Sequence, residues 1–152
     1  MNKADKAIEY FRNDFNCSQS VLTVFGPDFD LPENTCLKLG CAFGGGMGRQ
    51  QLTCGAVSGA MMVLGLKYGK AAGDPEEMKK ETYGKTCELF TEFKKMNGSV
   101  NCRDLLDGLD MNDPDDLQII KAKDLFVTKC EKYVRDAVSI TEDMVRKTKS
   151  NA

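Results

Sequence analysis

The sequence contains no histidine and no tryptophan among its 152 residues. Without imidazole there is no Ser-His-Asp or Cys-His catalysis, no His-ligated zinc and no His-ligated haem. No Cys-x-x-Cys pair occurs, so a thioredoxin-like motif and a haem attachment site are both missing. No apolar run approaches the ~18 residues that cross a bilayer, so membrane insertion is not expected. Basic excess is lacking too, with 21 basic against 23 acidic residues and a net charge of −2. That balance argues against nucleic-acid binding through phosphate contacts. The opening residues Met1-Asn2-Lys3-Ala4-Asp5-Lys6 lack the apolar core of a signal peptide, and a cytoplasmic location is the expectation.

What the chain has instead is cysteine, at Cys17, Cys36, Cys41, Cys54, Cys87, Cys102 and Cys130. An odd number leaves one thiol unpaired in a monomer. In a reducing compartment such a set points to metal, cluster or redox chemistry more than to a disulfide framework. Hydrophobic residues make up 41 % and charged residues 29 %. That is an ordinary globular balance, and at this length it predicts one domain over residues 1–152.

The apolar spacing is helical throughout. Ala4, Ala7, Ile8 and Phe11 form a stripe on a first helix. Cys17, Val21 and Phe25 continue on a second, stopped by Gly26-Pro27-Asp28. Pro32-Glu33 opens a third that runs to about Phe43. A fourth, from about Gln51 to Tyr68, is apolar nearly all round, and Gly55, Ala56, Gly59 and Ala60 let neighbours approach closely. Asp74-Pro75-Glu76-Glu77 opens a fifth, with Tyr83, Cys87, Phe90 and Phe93 as its expected core face and Asn97-Gly98 as its end. A short piece covers Cys102 to Leu106, and another helix runs from Asp113-Pro114 toward Phe126. The last helix begins at Thr128, with Cys130, Tyr133, Val134, Ala137, Val138, Thr141 and Val145 on one face. The expected fold is all-α, a single-domain helical bundle around a buried Gly/Ala-rich helix.

Four cysteines sit at expected helix starts. Cys17 follows Asn16, Cys102 follows Asn101 and Cys54 follows Thr53, while Cys130 lies inside a Thr128-x-x-Glu131 capping-box pattern. A thiol in the first turn faces unpaired N–H groups and the positive end of the helix dipole. Both lower its pKa from ~8.5 toward neutrality. Cys17, Cys54, Cys102 and Cys130 are therefore the candidate catalytic thiols. Cys54, which opens the most buried helix, is the expected attacking thiolate, and Cys41 is a fifth candidate. Cys36 and Cys87 read as small packed residues.

From Asn34 to Gly73 there is no Asp or Glu, while Lys38, Arg49, Lys67 and Lys70 are basic. A positive field there favours thiolates or an anionic cluster, although a buried helix excludes acids for packing reasons as well. Gly44-Gly45-Gly46-Met47-Gly48 has the composition of an anion-binding nest. A helix precedes it where a dinucleotide fingerprint needs a strand, so a tight turn near Cys41 and Cys54 is the expectation.

In Cys54-Gly55-Ala56-Val57-Ser58-Gly59 the chain resembles the C_GCAxxG_C_C family of redox-active proteins. Gly40-Cys41-Ala42-Phe43-Gly44-Gly45 also fits the spelling of that motif. Phe15-Asn16-Cys17-Ser18, Asn101-Cys102-Arg103-Asp104 and Cys130-Glu131-Lys132-Tyr133 resemble its other cysteine segments, so the likeness covers residues 10–140. The resemblance implies redox activity rather than a particular reaction.

Three readings follow. In the first, clustered low-pKa cysteines carry out thiol–disulfide exchange or electron transfer without a cofactor, with a redox partner protein or a small thiol or disulfide. In the second, Cys17, Cys54, Cys102 and Cys130, with Cys41 as a further ligand, hold an iron–sulfur cluster or zinc. The third is a helical interaction module with inert thiols, and a homodimer is open as an assembly. The four cysteines are separated by 37, 48 and 28 residues, so only tertiary structure can gather them. The expectation is two of them within disulfide reach, or all four around one site.

Overall fold

A computed structural model describes residues 1–150, with side chains through Arg146. The described residues form α1 (Lys3–Arg12), α2 (Cys17–Phe25), a 3-10 turn (Gly26–Phe29), α3 (Glu33–Cys41), the short turn α4 (Gly44–Met47) and α5 (Gly55–Tyr68). They continue through α6 (Glu77–Asn97), α7 (Cys102–Leu105), α8 (Pro114–Ala122), α9 (Leu125–Thr128) and α10 (Cys130–Ser150). Among them the β pairing is confined to one isolated bridge, Thr53 to Asn101. No helix of the described residues is long and apolar enough to cross a membrane.

The centre is a pair of helices. α5 is buried at every position from Gly55 to Ala60, as its small residues predict. α2 is buried from Ser18 to Phe25 because α1, α3 and α5 enclose it. Small residues permit that enclosure. A Cβ at Gly40 on α3 would stand 2.9 Å from the Gln19 backbone, and one at Gly59 on α5 would stand 2.8 Å from the Ser18 carbonyl oxygen. α10 lays Val134, Ala137, Val138 and Thr141 across α1, α2, α5 and α6. Outside that face, Arg12 pairs with Glu131 at 2.7 Å and Arg135 with Asp5 at 2.9 Å.

Several element boundaries differ from the sequence expectation. Residues 51–54 are not helical, because the chain at Thr53 pairs with Asn101 before α5 begins. Cys54 thereby becomes the residue that caps α5. The helix expected to run toward Phe126 breaks after Ala122, where Asp124 takes a left-handed φ of 54° before α9. Thr128 therefore ends α9 and donates its hydroxyl to the Asp124 carbonyl, while Glu131 turns outward to Arg12. No capping box forms there. On α6 Leu89 and Phe93 are buried and Phe90 packs partly buried against the core, as expected of the two phenylalanines, while Tyr83 and Cys87 are exposed. Thr82 and Thr86 take the half-buried places. Their hydroxyls bond back to the carbonyls of Met78 and Thr82, at 2.8 and 3.0 Å, leaving the methyls to pack.

The core divides into a large cluster around α2, α5, α6 and α10, and a small one made of Leu106, Met111, Ile120 and Leu125. Cys130 packs against both. The functional candidates lie at this junction.

Candidate functional site

A cavity of about 490 Å³ opens between the two clusters, and five of the seven cysteines line it: Cys17, Cys41, Cys54, Cys102 and Cys130. The structure therefore brings the four sequence candidates and Cys41 together. Cys36 is fully buried elsewhere, with its thiol 3.5 Å from the Leu31 carbonyl oxygen, and exposed Cys87 is not part of the lining. The rest of the lining is mostly apolar, from Phe11, Leu105, Leu106, Met111 and Phe126.

Each cysteine is placed by a local device. Asn16 caps α2 with a full capping box, accepting from the Gln19 N–H at 2.9 Å while the Gln19 side chain accepts from its own N–H. Its amide also donates to the Cys41 carbonyl at 2.9 Å, joining the end of α3 to the start of α2. Cys54 and Cys102 flank the Thr53–Asn101 bridge, where the Cys54 N–H donates to Val100 at 2.7 Å and the Cys102 N–H to Leu52 at 2.6 Å. In that antiparallel register the two cysteines are diagonal neighbours on one face. Asn101 makes no side-chain cap for α7, so of the four polar residues expected at these helix starts only Asn16 acts as a cap.

The glycine loop is the unusual element. From Gly45 to Arg49 five successive residues have φ between 60° and 69°, and Gln51 follows at 57°. Left-handed backbone costs roughly 1–2 kcal/mol at each non-glycine position, so Met47, Arg49 and Gln51 are held there by their surroundings. Buried Gln51 donates to the Leu109 carbonyl at 2.9 Å and accepts from the Met111 N–H at 2.8 Å. Asn112 donates to the Arg49 carbonyl at 2.8 Å. At Gly46 a side chain is excluded twice, by its φ of 69° and by the Leu52 nitrogen, 2.7 Å from where a Cβ would be. The loop turns the Gly45 N–H onto the Cys17 sulfur. One N–H of this tight turn, that of Gly45, thereby helps to lower the Cys17 thiol.

Cys17 and Cys54 are hydrogen-bonded thiols that share this electrostatic environment. The Cys54 S–H is the largest influence on Cys17, pulling it down to about 7 against the cost of burial. N–H groups of Gly45 and Ser18 add to the effect. Cys54 is pushed well above the ordinary thiol range by the same hydrogen bond, then by burial and by the Cys17 charge. Burial, followed by the Cys17 charge, raises Cys102 to about 12 and Cys130 further still. These shifts differ from the expectation of four depressed thiols with Cys54 foremost. A helix start does not offset the loss of water at three of the four, and the lowered thiol is Cys17.

Sequence reasoning missed Tyr133 as a site residue. Its hydroxyl donates to the Leu105 carbonyl at 2.7 Å, and burial, then the nearby Cys130, raises it to about 12. The one available signal was its place on the same helix face as Cys130. Gly55 is a second support, because the Cys17 sulfur occupies the space a Cβ would take there. Gly55→Ala is expected to cost about 1–3 kcal/mol in urea unfolding through overpacking and to move Cys17 off its donors. Its pH midpoint of alkylation should then rise. An unchanged midpoint would mean that Cys17 is not held by this contact.

A cluster or zinc site needs at least three or four side chains converging on one centre. Among the described residues no three His, Cys, Asp or Glu side chains are placed to hold a metal ion. The cysteines present do not fit that group.

A family model described as "Putative redox-active protein (C_GCAxxG_C_C)" matches residues 15–144. A protein of Archaeoglobus fulgidus, described as "Uncharacterized protein", is 27 % identical over 161 aligned positions, covering 99 % of this chain and 100 % of that one. No solved structure matches.

Proposed function

The chain belongs to the redox-active C_GCAxxG_C_C family, and from that premise we propose that Cys17 and Cys54 form a two-electron dithiol–disulfide couple. The observation that carries this reading is the thiol pair itself, one member lowered and the other keeping its proton, at the wall of a cysteine-lined cavity. The lowered Cys17 also speaks against inert thiols.

The Cys17 thiolate attacks one sulfur of a disulfide R–S–S–R, whose bond breaks and releases R–S⁻. Cys54 then gives its proton to the released R–S⁻ and attacks the Cys17 sulfur. A Cys17–Cys54 bond forms and the second R–S⁻ leaves. Two electrons pass from the dithiol to the disulfide. The nearby Cys102 and Cys130 remain protonated and serve the couple as a dry, polarisable wall.

Peptide mapping after acid quench tests the assignment. Reduced protein treated with one equivalent of disulfide is expected to give the Cys17–Cys54 cross-link as its main product. Cys17→Ser and Cys54→Ser should each abolish it. Cys87→Ala, at an exposed position, should leave it intact and change stability by less than about 0.5 kcal/mol. A main cross-link between any other pair of cysteines would sink the reading.

A further inference from the structure

The mouth of the cavity carries a charge that the dithiol couple does not use. Arg49 is the one charged side chain in the lining among the described residues, and like Cys41 it is exposed. It makes no ion pair among the described residues, although the chain forms ten others. It stands within a stretch, Asn34 to Gly73, that has no acid to pair with it. Its φ of 65° is a conformation glycine would adopt at less cost, and Asn112 pins its carbonyl at 2.8 Å. The side chain is thus held at the opening by a strained backbone without a partner.

The couple itself lies inward. Cys54 is 6 % exposed, and half-buried Cys17 has its sulfur turned toward Gly55. A disulfide set in a folded protein surface cannot reach it, whereas a cavity of about 490 Å³ is of the size that takes small molecules. Carbon walls from Phe11, Leu105, Met111 and Phe126 suit an apolar body. An unpaired guanidinium suits a carboxylate, which it can hold through two parallel hydrogen bonds.

We propose that the cavity takes a low-molecular-weight organic disulfide bearing a carboxylate, with the carboxylate held by Arg49 at the mouth and the S–S bond presented to Cys17. This rests on the dithiol reading and names its substrate class. The electron balance is that of the exchange above. The small disulfide gains two electrons and leaves as two thiols, one of which carries the carboxylate out past Arg49.

Rates of Cys17 oxidation, followed by quench and peptide mapping, test the proposal on the whole reduced protein. The probes are dithiobisnitrobenzoate, which is dianionic and aromatic, uncharged aromatic dithiodipyridine, and the protein disulfides of insulin. Each rate is divided by that of free cysteine with the same probe. Arg49→Gln is expected to slow the dianionic probe about tenfold, the size of one charge-assisted contact, and to leave the uncharged probe unchanged. Arg49→Lys should recover a large part of the loss. Insulin should oxidise Cys17 far more slowly than either small probe.

An equal slowing of both small probes in Arg49→Gln, no slowing of either, or insulin matching them would overturn the proposal while the dithiol couple stands. A Cys17 that reacts with none of the three would overturn the couple and the substrate class with it.

Discussion

Alkylation of the reduced protein is expected to show a thiol phase whose rate rises through about pH 7, and Cys17→Ser should remove that phase. At pH 7 a thiol with this pKa is about half thiolate, while one at the ordinary ~8.5 is only about 3 % thiolate. Cys54, Cys102 and Cys130 are all raised, so they cannot supply the phase. The cause can be tested as well as the effect. The S–H of Cys54 is the largest influence lowering Cys17, so Cys54→Ala should shift the midpoint upward and slow the reaction at pH 7 about tenfold. A wild-type Cys17 midpoint at or above ~8.5 would remove the physical basis of the couple.

Alkaline pH should unfold the protein with unusual steepness. Cys54, Cys102 and Cys130 hold their protons in the folded state at pH values where the unfolded chain has released them. Their contribution to stability is therefore complete below ~8.5 and is lost as pH rises beyond it, at up to ~1.4 kcal/mol per pH unit for each thiol. Three such groups give a slope on the order of 4 kcal/mol per unit, against a total stability of typically ~5–15 kcal/mol. Cys17 acts in the opposite sense. Its pKa is depressed to about 7, so its contribution is present above ~8.5 and is lost as pH falls through about 7. The stability maximum should lie near pH 8. Urea midpoints measured in excess reductant from pH 6 to about pH 10.5 check this. A flat curve between about pH 8.5 and 10 would show that the three thiols ionise without unfolding the protein.

Much of this arrangement is legible in the chain before any coordinates. The helices announce themselves through stripes such as Ala7 and Ile8 on α1, and Val134, Ala137, Val138 and Thr141 on α10, all buried as spaced. The gathering of Cys17, Cys54, Cys102 and Cys130 follows from their places beside helix starts that point inward. The part that local pattern hides is tertiary. On α6 the threonines displace Tyr83 and Cys87 from the core because their hydroxyls find carbonyls four residues back. The non-helical stretch ahead of α5 exists only because the chain at Asn101 returns to pair with it. The order of the thiol pKa values depends on which sulfur meets Cys54 and the Gly45 N–H, and residue spacing carries no trace of that. Arg49 was visible as one of four basic residues in an acid-free stretch, while its place at the cavity mouth was not.

The Thr53–Asn101 bridge has a consequence for a chain still being synthesised. Cys17 and Cys54 leave the ribosome well before Asn101, and Cys130 later still. The capping box of Asn16 and Gln19 is local and forms early. The loop that aims Gly45 at Cys17 waits for Gln51 to find Leu109 and Met111. Until then Cys54 has neither its neighbour across the bridge nor the cover of α10, and it reacts as any solvent-exposed thiol does. Nascent chains are thus the form most open to indiscriminate oxidation, and the selective thiol comes into being only when translation has passed the last cysteine.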